Sequence, residues 1–485
     1  STLLASSAAS DVYKRQEFIM SKTKEVRPFG LRDKIGYMCG DLANDFSFIF
    51  ASSYVMVFYT KVMGISAGMV GTMFLIARCL DAFTDIGMGR IVDNSKPTKN
   101  GRIRPWILRM CAFVALASFL MYQSFLVDAS YGAKVAYMFI TYILWGSIFY
   151  TSINIPYGSM ASVISAEPKD RSSLSVFRSM GGGVAGIMIG IMAPMLVYHT
   201  DAQGNQVVSA SRISVVAGVF SVIAIICYLL CYTLTTERVA YVPKPASEKK
   251  STAETLKTLF TSRALLGLVL SAVLLLLASL MGQGINTYLF ADYFKNTKAL
   301  SVFALLMLPC MIVLAGISTK LATKFGKREC SMVGMFVSGI LYFIIGCLHI
   351  KNVWAFVGMV FVAMLGMYFF QMQCWALVTD VIDDMEVQTR NRDDGTIYGI
   401  YSFSRKIGQA IAGGLSGWAL GWIGYDELAA GQTEAVANGI YNLATFFPAV
   451  IYILCGLVLM FIFPLNKARV DANVAELKKR REAAN

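Results

Sequence analysis

The sequence predicts an all-α membrane protein with twelve transmembrane helices arranged as two six-helix halves. Three observations predict it. First, 56% of the 485 residues are hydrophobic and only 15% are charged, where a soluble chain carries about one quarter charged residues. Second, apolar runs of about 20 residues recur along the whole chain, each long enough to cross the hydrocarbon core of a bilayer. Third, the basic residues cluster in alternate loops, as the positive-inside rule requires. In lipid the backbone must satisfy its own hydrogen bonds, which makes each run a helix.

The expected spans are 35–60, 65–92, 105–127, 134–164, 174–198, 211–234, 264–291, 300–323, 331–350, 353–383, 396–424 and 439–464. A polar stretch, 236–263, separates the first six (35–235) from the last six (264–465), and its "YVPKPASEKKSTAET" reads as a Pro/Ser/Lys-rich linker. Residues 1–19 are too polar for a signal peptide's apolar core and read as a non-native extension. Met20 then opens a cytoplasmic N-terminus, 20–34, and a basic tail, 466–485, closes the chain as a short amphipathic helix expected near the inner leaflet.

The net charge of +13 raises nucleic acid as a partner, but its distribution argues against one. Lys96, Lys99, Arg102 and Arg104 share one loop, Lys244, Lys249, Lys250 and Lys257 a second, and Lys320, Lys324, Lys327 and Arg328 a third. The intervening loop 425–438 has no basic residue. Both termini and the central linker are therefore expected in the cytoplasm. Ten cysteines lie mostly inside apolar runs without a CxxC pair, and His199 and His349 lack clustered donors. Neither metal chemistry nor a nucleophile–base pair is legible, so no cofactor and no enzymatic activity are expected.

The second span carries the chain's most expensive residues. "ARCLDAFTDIGMGR" (77–90) places Asp81 and Asp85 at i and i+4, on one helix face, with Thr84 beside them and Arg78 one turn earlier. Charges inside a membrane normally face a cavity and mark an ion or substrate route. Two carboxylates with hydroxyl oxygens suit a small hard cation, and protonation of either acid is the competing use. The structural alternative is an Arg78–Asp81 salt bridge that ties helices together. Further polar groups inside spans are Asp45 in the first, Thr151 and Asn154 in the fourth, Arg178 in the fifth, Gln373 and Trp375 in the tenth, and Arg405 and Lys406 in the eleventh. They could converge on one cavity. Gln373 and Trp375 suit sugar recognition through amide bonds and ring stacking, and simple packing is their other reading. After span ten, Asp380, Asp383 and Glu386 face basic loops and Arg392, and read as gate ion pairs or as a solvated loop.

Six plus six with a cytoplasmic central loop resembles the layout of the major facilitator transporters, in which two halves rock around a midplane site. "GRIVDNSKPTKNGRIRPW" after the second span, with Gly89, Asp93, Gly101, Arg102 and Arg104, resembles that superfamily's signature loop. Six further motifs resemble the glycoside–pentoside–hexuronide:cation symporters, the melibiose-permease family: "FGLRDKIGYMCGDLANDF", "DAFTD", "NIPYGSM", "DRSSLSVFR", "TDVIDDME" and "SRKIGQAIAGG". The resemblance spans about residues 30 to 465.

It implies symport of a sugar with Na⁺, H⁺ or Li⁺ in a bacterial inner membrane, by a chain working as a monomer. Carried over by motif, Asp81, Asp85, Thr84 and Thr151 resemble the cation site, Asp45 the helix-one sugar acid, Arg178 the helix-five sugar contact, and Lys406 the helix-eleven lysine near the acids. Melibiose permeases have Asp where this chain has Asn154, and Trp where it has Gly158, which speaks against a galactoside. The motifs look more like the glucuronide and xyloside branch. There a planar guanidinium at Arg405 would suit a uronate carboxylate, or else tie two helices. Na⁺ is expected over H⁺ because several oxygens surround the acids. A sodium-coupled lysolipid transporter of the same superfamily and a membrane sensor are the rival readings.

Overall fold

Residues 27–239 and 262–484 are described by the computed structural model, except for loop positions 96, 97, 99, 166, 391–393 and 430. Among them are twelve long helical segments and a terminal one. In the first half these are α1 (Leu31–Val57, prolonged by a π-turn, Phe58–Val62), α2 (Ala67–Asn94), α3 (Arg104–Leu120), α4 (Tyr131–Ile143, a π-turn Leu144–Tyr150, then Thr151–Ile164), α5 (Pro168–Val197) and α6 (Ala210–Leu234). In the second they are α7 (Arg263–Tyr288 with a π-turn Leu289–Tyr293), α8 (Thr297–Leu305 and, past Leu306, Met307–Phe325), α9 (Lys327–Leu348), α10 (Val353–Thr389), α11 (Asp394–Trp422) and α12 (Glu434–Leu457 with a π-turn Val458–Ile462). Nine stretches among the described residues are long and apolar enough to cross a membrane. α1, α3 and α11 fall short for local reasons: α1 carries Asp33, Lys34, Asp41, Asp45 and Lys61, α3 has 17 residues, and α11 holds Arg405 and Lys406.

Local chemistry sets the helix starts. Ser209, Ser262, Asn296, Asn352 and Thr433 each accept a backbone N–H in the first turn of the helix that follows, the usual N-cap arrangement. Glu237, just past α6, caps α3 from outside. Its carboxylate accepts the N–H groups of Arg102, Ile103 and Arg104 at 2.9, 2.8 and 2.7 Å, where the helix dipole favours negative charge. Asp33 is fully buried and takes Arg27 and Arg238 at 2.9 Å each. These bonds fasten the signature loop, the start of α1 and the residues after α6 into one knot.

The two ends of the bundle are named here for their contents. The termini face carries the starts of α1 and α7. The hairpin face carries a two-stranded antiparallel hairpin, β1 (Tyr198–Thr200) and β2 (Gln206–Val208), in which Tyr198 pairs with Val208. The halves meet along α2–α11, α5–α8 and α1–α7. The closest approach is glycine against glycine: any Cβ at Gly417 would overlap the Ala67 carbonyl and the Gly71 backbone. Small residues let backbones approach in membranes, where packing rather than hydrophobicity drives association.

The tail does not simply rest on a leaflet. α13 (Lys467–Ala484) docks against the second half. Asp384, 1% exposed, accepts Arg469 Nε at 2.8 Å, Arg469 Nη2 at 3.0 Å, Asn473 Nδ2 at 2.9 Å and Gln388 Nε2 at 2.6 Å, and Leu477 is buried below them. A charged pair with several bonds outweighs leaflet attraction as the anchor. We expect Asp384→Ala to free this helix. Amide hydrogen exchange of 467–484 should quicken at least about tenfold, the factor for loss of about 1.4 kcal/mol, with α1–α12 unchanged. Unaltered exchange would show that the carboxylate does not hold the tail.

Candidate functional site

α2 and α4 run in the same direction side by side, so residues four apart on one meet residues four apart on the other. Asp81 Oδ1 accepts the Ser147 hydroxyl at 2.5 Å, and Asp85 Oδ1 accepts the Thr151 hydroxyl at 2.9 Å. The result is a ladder of two carboxylate–hydroxyl rungs. Ser147 sits inside the α4 π-turn, a distortion that concentrates at functional positions. The second oxygen of Asp81 takes Arg78 Nη1 at 2.9 Å, and that of Asp85 takes the Lys406 ammonium. Arg78 also reaches Tyr142 and lies over the Phe48 ring, 5.4 Å from its centroid. Thr84 turns its hydroxyl to the Asp81 carbonyl at 3.3 Å, so its oxygen serves its own helix.

A second charged group lies between α1 and α5. Arg178 Nε donates to Asp41 Oδ1 at 2.9 Å, with the guanidinium 5.2 Å from the centroid of the Tyr157 ring. Tyr157 is held by its hydroxyl bond to the Tyr37 carbonyl at 2.7 Å. The Arg178 side chain remains 41% exposed, which leaves its two Nη nitrogens for another acceptor. Asp45 is one turn beyond Asp41, bonds none of the described residues and presses against α5 where Gly182 has no side chain to interfere. The family pattern led us to expect Asp45 as the acid of this region, yet the arginine is gripped by Asp41.

α10 and α11 supply the facing wall. Lys406 crosses between the halves to reach Asp85. Arg405 lies over the Trp375 ring at 5.7 Å, and Trp375 meets Tyr401 edge-on at 5.0 Å. Arg405 forms no ion pair with any described residue. Gln373 is buried and Asn154 half-buried, and neither hydrogen-bonds a described residue. Asp81, Asp85, Thr151 and Lys406 thus form one cluster, Asp45 and Arg178 a second, and Arg405 with Trp375 a third.

The acids expected to gate lie at the termini end of α10. Asp380 pairs with Lys327 at 2.6 Å inside the second half. Asp383 and Glu386 lie on the same end of α10, and Arg392 falls outside the described residues. At the opposite face an ion pair joins the two halves. There α1 and α7 each end in a five-residue π-turn, "FYTKV" and "LFADY", whose fourth residues are Lys61 and Asp292. These two meet at 2.5 Å, with side chains 8% and 2% exposed. Tyr425 adds a bond to Asp292 at 3.2 Å, Thr60 bonds Tyr288 at 2.9 Å, and Glu427 caps the Ala67 N–H at 2.7 Å. Thr297 to Gln206, Ser301 to the Ile191 carbonyl and Trp418 to Thr72 complete the closure. These bonds between the halves shut the hairpin face.

Ser147, Asp41, Lys61 and Asp292 escaped the sequence reading. A signal existed for two of them. Ser147 stands four before Thr151, the same step as Asp81 to Asp85, and Asp41 stands four before Asp45. Lys61 and Asp292 emerge only when the first helix of each half is laid on the other.

Paired halves around a charged seam, closed at one end, define a membrane transporter rather than an enzyme. The family model for "MFS/sugar transport protein" matches residues 36–467, and the chain belongs to that family. It is 30% identical over 453 residues to the "Uncharacterized symporter YjmB" of Bacillus subtilis (strain 168), covering 93% of this chain and 96% of that protein. It is 30% identical over 462 residues to the "Putative glycoside/cation symporter YagG", and 27% over 452 to the "Glucuronide carrier protein homolog", both of Escherichia coli (strain K12), again covering 93% of this chain and 96% of each protein. Among solved structures, the D-xylose-proton symporter superposes with a TM-score of 0.62 over 90% of this chain and 98% of that one, at 13% identity, which speaks for the fold alone.

Two outcomes follow. Lys61→Met leaves Asp292 buried without its partner, at a cost of about 3–5 kcal/mol. Hydrogen exchange in 58–62 and 289–293 should rise sharply, and Lys61→Met with Asp292→Leu should restore protection; if the double variant stays open, the pair is not the latch. Ser147→Ala removes the hydroxyl that donates to Asp81, and the folded chain should lose about 1–3 kcal/mol in thermal unfolding, the cost of one buried acceptor left unsatisfied.

Proposed function

We propose that this chain is a secondary active symporter that couples inward movement of a monovalent cation, Na⁺ ahead of H⁺, to uptake of a glycoside, pentoside or hexuronide. Anionic glucuronides are its foremost substrates and xylosides the next. The observation that carries the anionic preference is Arg405, a cation inside the seam with no carboxylate partner among the described residues, its guanidinium 5.7 Å from the centroid of the Trp375 ring. A guanidinium stacked on an aromatic face keeps its fork free for bidentate binding of a carboxylate. The relatives named as glucuronide and glycoside/cation carriers support the same class.

For the cation, the α2–α4 ladder supports Na⁺. Two carboxylates and the hydroxyls of Ser147 and Thr151 offer a set of oxygens of the kind a small hard ion takes, whereas a proton needs one acid alone. Thr84 joins this set only by turning away from its helix backbone. Asp45, Asn154, Arg178, Gln373 and Trp375 are assigned to the sugar, with Asp45 and Asn154 matching hydroxyls. The basic loops support a cytoplasmic termini face and the bacterial relatives an inner-membrane location, and on this reading the closed hairpin face is the outer one. The chain acts as a monomer, since each half supplies a wall of the site. A lysolipid carrier would want a largely apolar cavity, and the charged seam speaks against it.

Uptake of a labelled β-glucuronide and of a neutral β-xyloside into cells expressing the wild type and Arg405→Gln tests the substrate class. The expected result is loss of glucuronide uptake by at least about tenfold, as for a charged hydrogen bond worth about 1.5–3 kcal/mol, with xyloside uptake kept. Equal loss of both would make Arg405 a helix tie and remove the anionic assignment.

A further inference from the structure

We propose that Lys406 is an exchangeable occupant of the cation site, and that a cation displaces its ammonium toward the anionic group of the substrate. This rests on the symporter reading above and names the device that couples its two ligands. The lysine belongs to α11 in the second half, yet its ammonium lies against Asp85 of α2 in the first. It therefore takes one of the carboxylate oxygens that the cation would need. The other Asp85 oxygen is bonded to Thr151, and both Asp81 oxygens are engaged, by Ser147 and Arg78. Of the groups on these two acids, the lysine is the one that comes from the other half and has a long flexible stem. It is also the most exposed: its side chain is 37% exposed, against 17% for Arg78. It is the partner most easily exchanged.

Charge balance gives the exchange its direction. Apart from the Lys61–Asp292 pair at the hairpin face, the described residues of the seam include four acids, Asp41, Asp45, Asp81 and Asp85, and four bases, Arg78, Arg178, Arg405 and Lys406. A monovalent cation adds one positive charge and sends one ammonium away from its carboxylate. Unpaired charge in a low-dielectric seam is costly, and a substrate carboxylate arriving beside Lys406 and its neighbour Arg405 cancels it. Cation and anionic sugar then enter as a neutral pair. Either one alone leaves a net charge, which opposes crossing half-loaded. A neutral xyloside cannot cancel the displaced charge, so its binding should depend on the cation far less.

Full-length protein in nanodiscs, titrated calorimetrically with NaCl and with p-nitrophenyl β-glucuronide, tests this. In the wild type, saturating Na⁺ should tighten glucuronide binding at least about fivefold, and the sugar should tighten Na⁺ by the same factor. Lys406→Gln removes the competitor. It should bind Na⁺ as tightly as the wild type or more so, while its glucuronide affinity becomes indifferent to Na⁺. Lys406→Arg offers a fixed charge with a bidentate grip on Asp85, so Na⁺ should bind more weakly than in the wild type while linkage persists. A lysine that merely holds helices together would give the reverse order, with the arginine variant near wild type and the glutamine variant poor in Na⁺ binding. That order, or undiminished linkage in Lys406→Gln, overturns the proposal. If the wild type itself shows no linkage between Na⁺ and glucuronide, the symporter reading fails, and the exchange fails with it.

Discussion

Charges placed in the interior of a membrane protein must balance one another, and this constraint organises the seam between the two halves. Isolated, each charged group there would be prohibitively expensive. Paired, they fix the geometry around them. Arg78 holds Asp81, Asp41 holds Arg178, and Lys406 ties α11 to α2. The remaining two, Asp45 and Arg405, have no ion-pair partner among the described residues, and a ligand with hydroxyls and a carboxylate is the chemistry we propose for them. The proposed substrate class and coupling ion both rest on this balance of charge.

The second organising feature is the asymmetry between the two faces. The hairpin face is closed by glycine packing, by several inter-half hydrogen bonds and by the Lys61–Asp292 pair. A buried pair of this kind is weak as a source of stability but strong as a specifier of geometry, because losing one partner costs far more than the pair contributes. It therefore fixes the closed geometry of this face. Its two residues stand at matching positions of two π-turns, one ending the first helix of each half. The termini face has a different economy, in which Asp380–Lys327 and Asp384–Arg469 brace one half from within.

Much of this was legible in the sequence. Hydropathy and alternating basic loops sufficed for the helical architecture, since a bilayer leaves the backbone few choices. The acids of α2 stood out because a bilayer penalises them. What stayed hidden depends on relations between helices. Nothing in "GDLANDF" says that Asp41 rather than Asp45 takes the arginine; the register of α1 against α5 decides it. Ser147 is an ordinary membrane serine until the π-turn and the parallel run of α2 and α4 place it on Asp81. The tail looked like a leaflet-bound helix because its composition is basic, while its actual anchor is Asp384, buried on another helix. Of the expected gate acids, Asp380 meets Lys327 of a basic loop, a pairing that charge alone suggests but that only the packing of α9 against α10 specifies.

The most direct test of the central claim, that the α2 acids carry the coupling ion, is accumulation of a labelled β-glucuronide in proteoliposomes under an imposed Na⁺ gradient, with a pH gradient imposed in parallel. The account predicts uphill accumulation driven by Na⁺ and its loss in Asp85→Asn, with downhill equilibration of sugar retained. Accumulation driven by the pH gradient alone would contradict the Na⁺ assignment and make Asp81 and Asp85 proton carriers, and Na⁺-driven accumulation that survives Asp85→Asn would move the coupling site away from α2.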